Sequence, residues 1–283
     1  MREWNYILID RNIMIKQIQY LFPSVVANKI YKHLSTPRKR KIAEHEVKIL
    51  IASNTEILDY NGFSLMRYEW GKNKNKTAFL VHGWEGQTGN FASLIPILLE
   101  AGYRVVSIDA PSHGSSSNGK TNMFELSKIL ISHFKKEKPE IVISHSFGSV
   151  NVARVLRFSP EVFVKSWFLV TTPNNFKSRI NDMAVKFGLN QTVVKKLISK
   201  IEMDVDENIN NLNMVTYCSQ LENVEKAVII HSKTDKVLPI DGAREVSQSF
   251  KQSELVELDN YGHYSILWSE ELQYVLSSHL LID

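Results

Sequence analysis

Residues Ile141-Val142-Ile143-Ser144-His145-Ser146-Phe147-Gly148-Ser149 decide how this chain reads. Glu140 to Ile143 reads as a short buried strand, and from Ser149 to Phe158 the pattern turns helical. Between them stands Ser146, with small residues two positions to either side, Ser144 and Gly148. A serine on so sharp a turn needs strained backbone, and a bulky neighbour at either flank would clash with the strand or the helix. The turn lifts the hydroxyl clear of the sheet, and the following helix aims its N-terminal amides at whatever the serine attacks. An ordinary loop serine would fit the same nine residues, so the rest of the chain has to choose between the two.

Working outward, the segment from Thr55 on alternates short strands with helices. Glu56–Tyr60 and Phe63–Glu69 flank Asn61-Gly62, a strong two-residue hairpin signal. Six more strand candidates follow: 77–81, 104–108, 140–143, 165–170, 226–230 and 254–258. Most are continuous apolar runs, as expected of strands covered on both faces. Helical patterns over 91–100, 123–134, 149–158, 240–250 and 270–280 separate them. A hairpin followed by this alternation predicts a mostly parallel, doubly wound α/β sheet of eight strands.

Two regions fall outside that pattern. Residues 1–53 read as an N-terminal helical extension, with helical spacing from Tyr6 to Phe22, from Ser24 to Leu34 and from Pro37 to Ala52. Thr36 is the expected N-cap of the last piece and Pro37 its first-turn proline. About fifty residues rich in Lys and Asn separate Pro173 from Lys226, too many for a structureless loop in a compact domain. Helices over 176–187, 192–201 and 207–212 make this a small cap, inserted at about 174–222 into a main domain of 54–283.

Composition narrows the function. A formal charge of +4 is too small and too dispersed for a nucleic-acid binder. The single Cys218 excludes an intramolecular disulfide framework and a cysteine-based zinc site, and reads as a small apolar filler. The apolar run Tyr6–Ile9 is broken by Asp10 and Arg11 without a small-residue cleavage site, and no stretch approaches the roughly 18 apolar residues of a membrane span. A cytoplasmic protein is expected. Apolar residues ahead of Arg38-Lys39-Arg40-Lys41 lend some support to membrane-surface contact, but a solvated helix face accounts for such a run more simply. Oligomeric state leaves no trace in the sequence.

In an open parallel sheet, ligands bind at the carboxyl ends of the strands. Here those ends carry His82-Gly83-Trp84-Glu85-Gly86, Asp109 to Ser116, the Ser146 turn, His231 to Pro239, and Asp259-Asn260-Tyr261-Gly262-His263. A serine, then an acid, then a histidine thus follow one another along the chain. With these segments in this order, residues 55–283 resemble an α/β-hydrolase, and the Ser146 turn resembles that family's nucleophile elbow with Ser144 for the first glycine. His82-Gly83-Trp84 matches the family's His-Gly-x segment. Asp109 to Ser116 matches D-x-x-G-H-G-x-S with Ser112 for the first glycine, and His231 to Pro239 matches the setting of the acid with Ser232 for a glycine.

The resemblance implies Ser146 as nucleophile, His263 as general base and Asp235 as the acid that orients it. It implies an oxyanion hole from the backbone N–H groups of Trp84 and Phe147. The expected chemistry is acyl transfer from a small-molecule acyl substrate to water through an acyl-enzyme, with no metal and no cofactor; a carboxylesterase is the first choice. Asp241 and Asp259 are alternative acids, and His82, His113 and His145 read as bracing rather than reacting residues. Two rival readings remain. Gly114 to Thr121 satisfies the P-loop pattern G-x-x-x-x-G-K-[ST], which would make a nucleotide-binding protein. A non-hydrolytic ligand binder or an acyltransferase would keep the fold and drop the hydrolysis.

Overall fold

Asn61 and Gly62 both take positive φ, 46° and 81°, the geometry of a type I′ turn, and fold the chain there into a hairpin. The computed structural model describes residues 12–281. Its first elements are α1 (Asn12–Leu21), α2 (Pro23–Leu34), α3 (Glu44–Ile51), the hairpin strands β1 (Asn54–Tyr60) and β2 (Phe63–Trp70), β3 (Lys76–Val81) and α4 (Ile95–Glu100). Next come β4 (Tyr103–Ile108), α5 (Glu125–Glu137), β5 (Ile141–His145), α6 (Phe147–Phe158), β6 (Val164–Val170), α7 (Phe176–Phe187), α8 (Gln191–Val205) and α9 (Met214–Cys218). The chain finishes with β7 (Val224–Ser232), α10 (Asp241–Ser249), β8 (Ser253–Leu258) and α11 (Glu270–Leu280).

The eight strands form one sheet in the order β1-β2-β4-β3-β5-β6-β7-β8. Only β2 runs antiparallel to its neighbours, and from β4 to β8 all pairs are parallel. The apolar runs of β3, β5, β6 and β7 occupy its centre, where both faces are covered. On one side Ala78, Leu80, Ile143 and Ile230 pack into a core with Leu94, Leu98, Leu272 and Leu276 from the helical segments. On the other, Phe79 meets Phe134 of α5 at 5.1 Å between ring centres. Each such side chain, fully buried, stabilises the fold by about 1.5–3 kcal/mol. This is the doubly wound α/β sheet the alternation predicts.

The chain separates into two compact units. One comprises Pro37–Asn174 with the chain from Met214 onward, and contains the whole sheet. In the other, the described helices up to Thr36 join Asn175–Asn213. There the buried Gln19 side chain bonds Gly188 O at 3.0 Å and Asn190 N at 2.7 Å, and Tyr31 Oη donates to Asp204. No described helix is long and apolar enough to cross a membrane. The expected helical spacing from Tyr6 to Arg11 lies outside the described residues.

Two helices differ from expectation. The one expected to begin at Pro37 starts only at Glu44, and Thr36 is no N-cap: its Oγ1 donates back to Lys32 O at 2.7 Å. Four consecutive cations are ill placed at the positive end of a helix dipole, whereas Glu44 and Glu46 suit it. Glu46 Oε2 accepts the Ala43 N–H at 2.9 Å and makes the true start. The expected helix over 207–212 is also absent; Asn208 Oδ1 accepts Asn210 N at 3.0 Å, a local bond that favours a turn over a helix.

Gly148 sets how closely α6 approaches the end of β3. A Cβ there would stand 2.4 Å from Val81 O and 2.7 Å from His82 O, both backbone atoms that cannot step aside. Gly148→Ala is expected to destabilise the protein by about 1–3 kcal/mol despite alanine's better helix propensity, read as a lower urea midpoint with an unchanged m-value.

Candidate active site

The Ser146 turn is strained, as its sequence predicts. Ser146 has φ 51° and ψ −124°, in the positive-φ region that favours glycine, and sits between the last residue of β5 and the first of α6. Its N–H donates to Val170 O at 2.8 Å, which fastens the turn to the neighbouring strand. Ser144, in the first-glycine position, is buried; its Oγ accepts from Trp167 Nε1 at 2.8 Å and pairs with Ser149 Oγ at 2.9 Å. The extra hydroxyl therefore costs nothing in unsatisfied polarity. Ser146 itself is half-buried.

Ser146 Oγ lies 2.9 Å from His263 Nε2, and His263 Nδ1 lies 2.8 Å from Asp235 Oδ2. His263 sits on the loop after β8 and Asp235 on the loop after β7, so the ends of β5, β7 and β8 deliver one hydrogen-bonded relay across β6. Asp235 is 8% exposed and His263 7%. Burial alone would raise the Asp235 carboxyl. The His263 ring and the N–H groups of Leu238 and Val237, which donate to Oδ1 at 3.1 and 2.7 Å, outweigh it and hold the carboxyl below its ordinary range. The alternative acids are engaged elsewhere: Asp259 pairs with Lys233 at 3.1 Å and Asp241 with Arg244 at 3.1 Å.

The His82-Gly83-Trp84 loop lies directly against the turn. A Cβ on Gly83 would meet His145 O at 2.9 Å and Ser146 Cβ at 3.0 Å. Phe147 opens α6, so its amide belongs to the helix's positive end. Trp84, Phe147, His113, Met123, Leu126 and Asn151 line a small cleft with mixed apolar and polar walls.

The remaining histidines brace this frame in fixed tautomers. His82 Nδ1 donates to Gly83 O at 2.8 Å, leaving Nε2 to accept the Ala110 N–H at 3.0 Å. His145 Nε2 donates to the His263 carbonyl at 2.8 Å, and His113 Nδ1 to Pro111 O at 2.9 Å. Asp109 ties the same loops together: Oδ1 accepts Thr88 N at 2.8 Å, and Oδ2 accepts Ser115 N at 2.8 Å and Tyr68 Oη at 3.2 Å. The P-loop pattern does not form a phosphate cradle. The N–H groups of Ser115, Ser116, Ser117 and Gly119 are donated to Asp109, His113, Ser64 and Ser112, and the next helix starts only at Glu125.

Sequence reasoning missed Tyr264. Its ring stands 5.1 Å from that of His263 and 5.3 Å from that of His145, and its hydroxyl donates to Trp84 O at 3.3 Å. Nothing about a tyrosine beside a histidine signals this. Cys218 is buried in α9, which pushes its thiol up and makes it inert.

The family model described as the alpha/beta hydrolase fold matches residues 79–197. A Danio rerio protein named serine hydrolase-like protein is 27% identical over 132 residues, 44% of this chain and 40% of the relative; the chain thus spans well under half of that protein. Among solved structures, Est1E from Butyrivibrio proteoclasticus, determined with ferulic acid bound, superposes with a TM-score of 0.61 at 15% identity over 80% of this chain and 98% of its own. Bromoperoxidase from Bacillus anthracis gives 0.60 at 14% identity over 82% and 100%. With its strand order, its strained serine turn and these matches, the chain has the α/β-hydrolase fold.

Burial lowers the pKa of His82, His113, His145 and His231, with His113 pushed down to about 3. An unfolded histidine titrates near 6.5. Below that pH the unfolded chain takes up protons that the folded chain refuses, so stability is full above about 6.5 and falls as the pH drops. Between pH 7 and 5 His113 is expected to cost about 2 kcal/mol, with the other three adding in the same direction, seen as a falling urea midpoint. His113→Gln should show a shallower fall.

Proposed function

We propose that this protein is a serine hydrolase that cleaves a carboxylic ester through an acyl-enzyme, with Ser146, His263 and Asp235 as its triad. The observation that carries the reading is the relay from Ser146 Oγ through the His263 ring to Asp235, at 2.9 and 2.8 Å, on a serine held at positive φ. A serine hydroxyl is a weak nucleophile alone. His263 Nε2 takes its proton as Oγ attacks the ester carbonyl, and later returns that proton to the leaving alcohol. Asp235, kept ionised, holds Nδ1–H and stabilises the imidazolium. The N–H groups of Trp84 and Phe147 are the proposed oxyanion donors, each worth about 3–4 kcal/mol of barrier. Water then attacks the acyl-enzyme by the same proton route, and no metal or cofactor enters.

Likeness of fold cannot choose the chemistry, since Est1E and a bromoperoxidase match this chain about equally well. The proposed substrate is an ester with a small or medium acyl group directed to the cleft beside Trp84 and Phe147. A fluorophosphonate probe is expected to label the wild type and to leave Ser146→Ala unlabelled. With p-nitrophenyl esters, Ser146→Ala should lower kcat by about 10⁶-fold and Asp235→Asn by about 10⁴-fold. Folded wild type that is never labelled would sink the reading, and near-normal turnover in Asp235→Asn would remove Asp235 from it.

A further inference from the structure

Residues Pro37–Ala43 form neither helix nor strand, yet they are pinned at successive points to the loops around Ser146. The Arg38 guanidinium makes two 3.0 Å bonds to the Glu85 carboxylate, next in sequence to Trp84. Lys39 Nζ donates to Ser116 O, on the loop that carries His113. The Arg40 guanidinium lies over the Tyr264 ring, its Cζ 3.6 Å from the ring centre, and that ring stands 5.1 Å from the ring of His263. The strap ends at Ala43, whose N–H is held by the buried Glu46; Gln87 and Asn90 fix Glu46 in turn at 2.8 Å each.

Charge is what makes this strap more than a brace. Of its four consecutive cations, Arg38 is matched by a carboxylate; among the described residues Lys39 meets a neutral carbonyl, Arg40 an aromatic face, and Lys41 forms no ion pair. All four are exposed. Stacking on a tyrosine engages the face of a guanidinium and leaves the N–H fork at its edge able to grip an anion. The fold thus carries uncompensated positive charge to the rim of the site and fixes one guanidinium a single aromatic ring away from His263.

We propose that the strap recognises an anionic oxygen group, a carboxylate or phosphate, on the substrate, with Arg40 as the residue that binds it. The substrate class is then an ester carrying a negative charge on a short arm. This inference rests on the hydrolase reading above, and its test is chosen to fail separately from that reading.

The test compares kcat/KM for mono-p-nitrophenyl glutarate, corrected for its self-hydrolysis, with that for its neutral methyl ester. A charge-assisted bond of this kind should make the wild type prefer the acid by about tenfold or more at low salt, and high salt should shrink the preference. Arg40→Gln should remove most of that ratio and Arg40→Lys should retain much of it. Lys251→Gln, which removes an exposed charge ahead of β8, should keep the wild-type ratio. A wild-type ratio near one, or a ratio unchanged in Arg40→Gln, overturns the proposal. If neither ester is turned over, the hydrolase reading fails instead and binding decides the strap. Monomethyl glutarate, but not dimethyl glutarate, should then raise the Tm of Ser146→Ala, and adding Arg40→Gln should abolish the rise; equal shifts overturn the proposal.

Discussion

The close approach of α6 to the end of β3 is the constraint on which the rest depends. Because Gly148 has no side chain, the helix can start within van der Waals reach of Val81 and His82, and the chain must turn sharply at Ser146 to enter it. That turn forces Ser146 to positive φ, at a cost of about 1–3 kcal/mol. The cost is borne by buried neighbours: Trp167, Ser149 and the Val170 carbonyl all bond to the turn. One packing contact therefore fixes the hydroxyl, the first amide of α6 and the distance to the Gly83 loop together.

Around this turn the protein holds its buried histidines through backbone carbonyls. His82, His113 and His145 are neutral and hold one tautomer each, because each donates one ring N–H to a backbone carbonyl. His263 differs. It bridges the Ser146 hydroxyl and the Asp235 carboxylate. Histidines of one sequence are thus sorted by their neighbours alone into braces and, in the function proposed above, a proton carrier.

The sequence made the sheet legible because its central strands are covered on both faces and so carry unbroken apolar runs; all eight fall within two residues of their expected limits. The candidate site was legible in outline because strand ends are where such sheets bind ligands, and Ser146, Asp235 and His263 follow from the resemblance of those strand-end segments to the α/β-hydrolases. Other features had no local signature. The switch from strap to helix at Glu44 depends on charges facing a helix dipole and on Gln87 and Asn90, some forty residues away. Tyr264 is defined by what its hydroxyl and ring touch, and neither contact is with a sequence neighbour other than His263. The partnership of the first helices with the inserted ones rests on pairs such as Gln19 with Asn190, which periodicity cannot register.

That partnership has a consequence for how the chain is made. The residues that Gln19 and Tyr31 bond are about 170 positions further on, so the unit they share is interrupted by all of the first six strands. A ribosome adding about 5–20 residues per second needs roughly ten to thirty seconds to supply the partners. For that time α1 and α2 have been synthesised but have no inserted helices to pack on, with Tyr20, Leu21, Phe22 and Val25 exposed even in the finished protein. The unit that begins first along the chain is thus completed only after six strands of the sheet have been made, and the order of synthesis is not the order of assembly.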